Sequence, residues 1–311
     1  LNGCLTLDIG NTNASLAFVS FVDGGAARRQ AAGAYRVGDL HVEALGAWSG
    51  DEGEAAWLEQ ALRSAALRSA AEPTNGLHAG ISAVGSHERE GLLAEQLRSA
   101  GWNVQTRPDA GLVMEIRHPE TCGTDRQYAI RAALDDQLHQ RQGKAEPARV
   151  LVIDAGTALT VDAGIARPWD RKGPSSMAGR AAPSELVFLG GAIAMGPGSL
   201  ASAITARGAR LAKFEVDPDA PALGRSTVEA LRAGVSVGFR GAVRELCLHV
   251  SEEAFGGTSG VAAYLTGGAR AFAREAVSGC FSGGFHESAH LVHVGLARAV
   301  RGAMGRTEDA S

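Results

Sequence analysis

Apolar positions along this chain alternate between a strand-like and a helix-like rhythm. Leu5–Leu7 and Ala14–Val19 are short apolar runs flanking Asp8-Ile9-Gly10-Asn11-Thr12-Asn13. Two strand-like runs about a Gly/Asn/Thr turn predict a β-hairpin. Ala34–Val37 predicts a third strand, and the Gly/Asp/Glu-rich stretch 46–54 a loop. Residues 55–71 place Trp57, Leu58, Ala61, Leu62, Ala65 and Leu67 near helical spacing, so an amphipathic helix is expected. Ala79–Val84 reads as a buried strand, and Glu88–Ala100 as a helix ended by Gly101. Short strands at 102–106 and 112–116 flank the Pro108-Asp109 turn. A helix then opens at Gly123–Gln127 and runs to about 141, with Thr124-x-x-Gln127 at capping-box spacing and Asp125 in its first turn.

The polar segment Gln142–Pro147 is the expected domain boundary, giving domains 1–147 and 148–311. Beyond it, Val150–Ile153 is the kind of β-branched run that is buried on both faces. It leads into Asp154-Ala155-Gly156-Thr157-Ala158-Leu159-Thr160, a near-repeat of the first hairpin. Asp8 and Gly10 match Asp154 and Gly156, but Thr12 lies two residues past its glycine while Thr157 follows directly. Two such hairpins suggest duplication, with a ligand gripped between the copies. Segments 38–55 and 166–185 read as insertions, the second with loop composition. Phe188–Gly198 is a strand entering a glycine-rich turn, followed by helices at 199–211 and 228–249, the latter with Ser226-x-x-Glu229 at capping-box spacing. Val261–Leu265 is a strand, and Thr266-Gly267-Gly268-Ala269 a third turn opening a helix. A helix at 295–303, free to pack back on the first domain, precedes a polar tail at 305–311 expected to be disordered.

Composition narrows the function. A 45% hydrophobic, 21% charged chain of 311 residues has enough apolar material for two cores. Its net charge of −4 argues against nucleic acid as a partner, though not against a small anion. Cys4, Cys122, Cys247 and Cys280 make no CxxC or tight even spacing, which fits a reduced compartment. No apolar run reaches membrane-spanning length, so neither a membrane partner nor a membrane location is expected, and the expected compartment is the cytoplasm.

The candidate chemistry lies in the turns. A short Gly-containing loop converges backbone N–H groups on an anion, and a carboxylate beside it calls for a cation in between. Asp8 therefore suggests Mg²⁺ held against phosphate, whereas a plain turn-forming Asp is the simpler alternative. Three such turns at strand ends, Gly10–Thr12, Gly156-Thr157 and Thr266–Gly268, favour a nucleotide-binding protein.

Asp8–Asn13, Gly123-Thr124-Asp125-Arg126, Asp154–Thr160 and Gly190-Gly191-Ala192-Ile193, with Arg225–Ala230, Thr266–Gly268 and Val294–Leu296, together resemble type III pantothenate kinase. The resemblance implies an α/β fold of two ribonuclease-H-like domains, of the acetate/sugar kinase, heat-shock chaperone and actin type, with an interdomain nucleotide cleft. It implies ATP with Mg²⁺, a monovalent cation (K⁺ or NH4⁺), pantothenate as substrate in the first step of coenzyme A synthesis, and a homodimer with the substrate site near its interface. On this resemblance Asp8, Ile9, Gly10, Asn11, Thr12, Asn13, Ala14, Ser15 and Thr157 bind ATP, and Asp8 meets Mg²⁺ through the phosphates. Asp154 holds the monovalent cation, and Gly123, Thr124, Asp125, Arg126 and Thr227 meet the substrate. Asp125 is the implied general base, although on sequence alone a first-turn Asp stabilised by the dipole is the commoner case; Thr227 is equally well a cap. Two departures stand out. Met195 takes the position of the family's proline, with Pro197 displaced, and Ile116–Pro119 lacks the aromatic residue expected before the Gly-x-Asp-Arg element.

Two further readings compete. One is a nucleotide-binding regulator similar to the Bvg accessory factor proteins. The other is a zinc peptidase, because His286-Glu287-Ser288-Ala289-His290 matches H-E-x-x-H, with Glu308 as a third ligand. Gly283-Gly284 before it and the strand-like alternation of His290–Val294 after it point to a loop with histidines instead.

Overall fold

The computed structural model describes residues 3–11, 13–21, 35–37, 40–49, 53–69, 77–141, 146–168, 184–207 and 213–308. Contacts group the chain into two units, one of residues 1–112, 118–140 and 290–311, the other of residues 113–117 and 141–289.

In the first unit, β1 (Gly3–Ile9) and β2 (Asn13–Phe21) form the expected hairpin, paired from Gly3↔Ser20 to Ile9↔Ala14. β3 (Tyr35–Val37), β4 (Leu40–Ser49), β5 (His78–Ala83) and β6 (Asn103–Thr106) complete a sheet of order β3-β4-β2-β1-β5-β6. From β4 to β6 this is an antiparallel meander followed by two parallel strands, the ribonuclease-H-like order. Leu5, Leu7 and Ile9 point to one face, with Ile81, Leu58 and Leu62 of α1 (Glu54–Ser69) and Leu93 and Leu97 of α2 (His87–Ser99). The other face meets α7 (Leu291–Glu308), which in turn packs along α3 (Thr124–Gln140). Gly80 and Gly295 allow that packing: a Cβ at 80 would collide with Val300, and one at 295 with the Tyr128 backbone.

The second unit repeats the arrangement. β8 (Ala148–Ala155), β9 (Ala158–Pro168) and β10 (Ser184–Met195) are antiparallel neighbours, and β11 (Val261–Thr266) and β12 (Phe285–Glu287) extend the sheet in parallel. The sheet order is β12-β11-β8-β9-β10-β7, with β7 (Val113–Met114) at its edge. Leu151, Ile153 and Ala155 pack with Phe239, Val243 and Cys247 of α5 (Thr227–Phe255) and Val277 of α6 (Arg274–Cys280). α4 (Pro197–Arg207) packs against α5, whose C-cap Gly256 takes the left-handed φ of 73°.

Several expectations change. The first half of the loop expected at 46–54, Gly46–Ser49, is strand, because β4 pairs with β2 as far as Asn13↔Ser49. Gly46 is no turn former; it leaves room for the Trp57 indole, which a Cβ there would meet at 3.0 Å. Insertion 38–55 is thus partly β4, whereas most of 166–185 falls on residues 169–183, outside the described residues, as do 142–145 of the expected boundary. His290–Val294 is not strand-like: α7 begins at Leu291, and His293, Leu296, Ala297 and Val300 form one buried helical face. α7 continues through Gly305 to Glu308, where the sequence predicts a disordered tail; residues 309–311 lie outside the described residues. Among the described residues, no helix is long and apolar enough to cross a membrane.

Candidate functional site

The alternation of β1 that buries Leu5, Leu7 and Ile9 on one face sends Thr6 and Asp8 to the other. Register does the rest. Asp8 lies opposite Ser15 on β2 and Ser82 on β5, so hydroxyl residues flank the carboxylate on both neighbouring strands. Ser82 hydrogen-bonds the Asp8 carboxylate, and its Oγ lies 3.3 Å from Thr124 Oγ1 at the start of α3. Asp125, the next residue of α3, is close enough to Asp8 to act on its charge. Burial first, and Asp125 second, push the Asp8 carboxyl from 3.8 up to about 7, against the Ser82 hydrogen bond. Asp8 Oδ1 is buried without a hydrogen-bond partner among the described residues.

His293 of α7 closes this polar layer. Its Nδ1 lies 2.9 Å from Thr6 Oγ1 and its Nε2 2.9 Å from Ser15 Oγ. The Thr6 hydroxyl donates to Ala17 O (3.1 Å), so it accepts from Nδ1–H, and Ser15 Oγ–H then donates to Nε2. Ser15 is therefore committed to His293 through its proton. Burial holds the imidazole neutral, with its pKa lowered to about 3.

The α3 start is shaped around Asp125. A Cβ on Gly123 would collide with Asp125 Oδ1, so this glycine makes room for the carboxylate. The expected capping box does not form: Thr124 is inside the helix, with Oγ1 3.5 Å from Ala83 O, and Gln127 donates from its side chain to Cys122 O at 3.1 Å. Arg126 follows Asp125, partly exposed.

In the hairpin turn, Gly10 N–H donates to Asn13 O at 2.9 Å, Asn11 is exposed, and Ile9 and Ala14 are buried as the last strand pair. Thr12 lies outside the described residues. The second unit has the same device one residue shorter: Gly156 N–H donates to Ala158 O at 2.9 Å. That missing residue is why the two threonines fall out of step. Asp154 lies opposite Thr160 and Thr266, so this carboxylate too has hydroxyl residues on both neighbouring strands. Gly267, with φ of 93°, presses against it: a Cβ there would collide with Asp154 Oδ1 and Ala155 O. Thr157 is exposed, and its carbonyl accepts from Gly196 N–H (3.0 Å) and Ser199 Oγ (2.7 Å). Gly196 crosses directly over Gly156, where any side chain would strike Gly156 O. The displaced proline is accommodated, since Pro197 opens α4 as its first residue and Met195 ends β10 with its side chain exposed. Thr227 is exposed at the start of α5, and the cap is Ser226, which accepts from Glu229 N–H at 3.3 Å.

The H-E-x-x-H segment is not a helix. His286 and Glu287 are on β12, His286 stacks on Tyr264 at 4.8 Å, and Glu287 is paired with Arg270 and Arg274. The one-turn spacing that brings both histidines to a metal is absent, and no group of three metal-ligating side chains forms among the described residues.

Ser82, Arg89 and His293 are the residues that sequence reading passes over. Only His293 leaves a trace, its three- and four-residue spacing to Leu296 and Ala297.

A family model described as type III pantothenate kinase matches residues 4–166 and 181–249. A type III pantothenate kinase of Thermus thermophilus is 32% identical over 168 residues, covering 54% of this chain and 57% of that protein. One from Dehalococcoides mccartyi is 29% identical over 168 residues, covering 52% and 54%. The chain thus spans little more than half the length of these curated relatives. A solved structure titled as a conserved putative Baf family transcriptional activator from Campylobacter jejuni aligns with a TM-score of 0.47 at 17% identity, covering 97% of this chain and 99% of that one.

Proposed function

The chain belongs to the type III pantothenate kinase family, and from that premise we propose that it transfers the γ-phosphoryl group of ATP to the hydroxyl of pantothenate, the first step toward coenzyme A. The observation that carries this reading is the facing pair Asp8 and Asp125, one carboxylate raised to about 7 with a buried, unpartnered oxygen. An uncompensated carboxylate beside a turn of N–H donors fits a divalent cation bound against phosphate. Mg²⁺, when bound, neutralises charge on the phosphates.

The roles of the chain's own residues follow from that chemistry. Asp8 holds the metal side of the nucleotide, Ile9 to Ser15 lie beside the phosphates, and Thr157 is assigned to ATP binding. Asp125 accepts the proton of the pantothenate hydroxyl as its oxygen attacks phosphorus, so the alcohol need not ionise beforehand. Gly123 leaves room for that carboxylate, Thr124 is tied to Ser82, and Arg126 supplies positive charge for an anionic group of the substrate. Thr227, exposed and not used as the cap, is available to the substrate. Asp154, in a recess that a side chain at Gly267 would fill, fits a monovalent cation such as K⁺ or NH4⁺. Exposed Ile193 and Met195 of β10 and Val228 and Val237 of α5 support assembly as a homodimer. The cytoplasm, where ATP and pantothenate are both present, is the proposed compartment.

The test is pantothenate-dependent ADP release by purified protein with ATP and Mg²⁺, with and without K⁺. Asp125→Asn should lower turnover by about 10²- to 10⁴-fold while leaving ATP affinity nearly intact. If pantothenate is left unmodified, the substrate assignment fails; ATP binding without turnover would make the chain a nucleotide-binding regulator.

A further inference from the structure

We propose that Arg89 of α2 is a positioning residue for phosphate binding, holding the Gly10 and Asn13 carbonyls of the hairpin turn away from the phosphate chain. The proposal rests on the nucleotide-binding reading above. Arg89 Nη1 donates to Gly10 O at 2.6 Å, and Nη2 donates to Asn13 O at 3.2 Å. The same guanidinium donates from Nε to Glu54 Oε2 at 2.6 Å and from Nη2 to Glu54 Oε1. Its carbon lies 5.2 Å from the centroid of the Trp48 ring. The Arg89 backbone is held as well, with its N–H donating to the N-cap Ser86 Oγ at 3.3 Å.

This arrangement separates two roles an arginine near a phosphate turn can have. A direct phosphate ligand keeps a face of its fork open and its charge uncompensated. Arg89 does neither: Glu54 takes the charge in a two-pronged pair, and both partners are largely buried at 22% and 14% exposure. What remains is directed at carbonyl oxygens on either side of the turn. Carbonyl dipoles facing an arriving phosphate repel it, whereas N–H groups attract it. By capturing Gly10 O and Asn13 O on the α2 side, Arg89 sets which side of the turn a phosphate meets. Trp48 of β4, Glu54 of α1 and Arg89 of α2 thus brace a turn that none of them adjoins in sequence.

A cavity of about 400 Å³ lined by Glu54, Ser86, Leu92 and Gln96 adjoins Arg89 and gives a small cation access to its place. The experiment is calorimetric titration of ATP and of adenosine into the wild-type chain, Arg89→Ala, Arg89→Lys and Glu54→Gln. Arg89→Ala should weaken ATP about 10- to 100-fold, as expected for lost charge-assisted hydrogen bonds, and leave adenosine within about twofold. Millimolar guanidinium should restore much of the ATP affinity. Arg89→Lys should fall between, because one ammonium cannot serve two carbonyls and a carboxylate. In turnover, KM for ATP should rise while KM for pantothenate stays put.

Unchanged ATP affinity in Arg89→Ala overturns the proposal, and so does an equal loss for ATP and adenosine, which marks a purely structural brace. Should Arg89→Ala fail to fold, Glu54→Gln decides: ATP affinity lowered about 3- to 10-fold supports the proposal, and unchanged affinity overturns it. A wild-type chain that binds neither nucleotide defeats this proposal and the kinase reading together. Arg89-dependent ATP binding without pantothenate phosphorylation defeats only the substrate assignment.

Discussion

Replacing Asp8 by Asn should make the nucleotide-free chain more stable at pH 8, even though it removes a residue assigned to binding. A carboxyl raised from 3.8 to about 7 binds its proton more tightly folded than unfolded. Its stabilising contribution is therefore complete below about 4 and is lost as pH rises to 7. The full shift corresponds to about 4 kcal/mol, and the partial exposure of Asp8 lowers the expected effect to about 1–3 kcal/mol. His293 works in the opposite sense. Its pKa, lowered to about 3, makes stability rise between roughly pH 3 and 6.5. In the wild type the two slopes offset each other across the window they share. Asp8→Asn should expose the His293 slope, so that its advantage over wild type is small at pH 4 and reaches its maximum above 7. Calorimetric melting at pH 4, 6 and 8 without nucleotide should show a gain of about 2–10 °C at pH 8. Mg²⁺ with ATP should reverse the ranking, since only the wild type is stabilised by binding. A variant less stable than wild type at pH 8 by the same margin as at pH 4 would refute the view of Asp8 as an uncompensated buried charge.

Other substitutions probe single contacts. Gly123→Ala drives a methyl group into Asp125 Oδ1; it should cut kcat about 10- to 100-fold, since a displacement of about 1 Å is that costly, with ATP affinity unchanged by titration. Gly196→Ala strikes the Gly156 carbonyl and should destabilise the chain by about 1–3 kcal/mol in urea unfolding. His293→Leu strands the hydroxyls of Thr6 and Ser15, so it should cost about 2–4 kcal/mol and, with only the Asp8 slope left, make stability fall as pH rises from about 4 to 7. Metal analysis of pure protein should find less than stoichiometric zinc, because His286 and Glu287 are held by Tyr264, Arg270 and Arg274.

The amino-acid sequence by itself determined the elements that depend on local patterns. The hairpin around Asp8–Asn13 and its near-copy at Asp154–Thr160 were legible because apolar alternation and turn residues are local signals. The helix α1 was legible from periodicity, α2, α3 and α5 from signals at their ends, and the family from motifs in the right order. The end of β4 was hidden because the Gly, Asp and Glu residues of 46–54 gave it the composition of a loop, and only pairing with β2 and the fit of Trp57 make Gly46–Ser49 a strand. α7 was misread at its start, where the alternation of His290–Val294 looked like a strand until the longer buried face from His293 to Val300 was assembled.

What only the tertiary structure decided was the company each residue keeps. Asp8 could be identified as an unusual carboxylate, but its flanking by Ser15 and Ser82 depends on strand register, and the charge of Asp125 reaches it through folding. The one-residue difference between the two turns, visible as a misplaced threonine, became a physical statement through the Gly10–Asn13 and Gly156–Ala158 hydrogen bonds. Arg89 lies 79 residues from Gly10 in sequence, and nothing local marks it as the partner of that turn. Local patterns set which segments become strands and helices; long-range register and packing set which charges meet, and so what the site can bind.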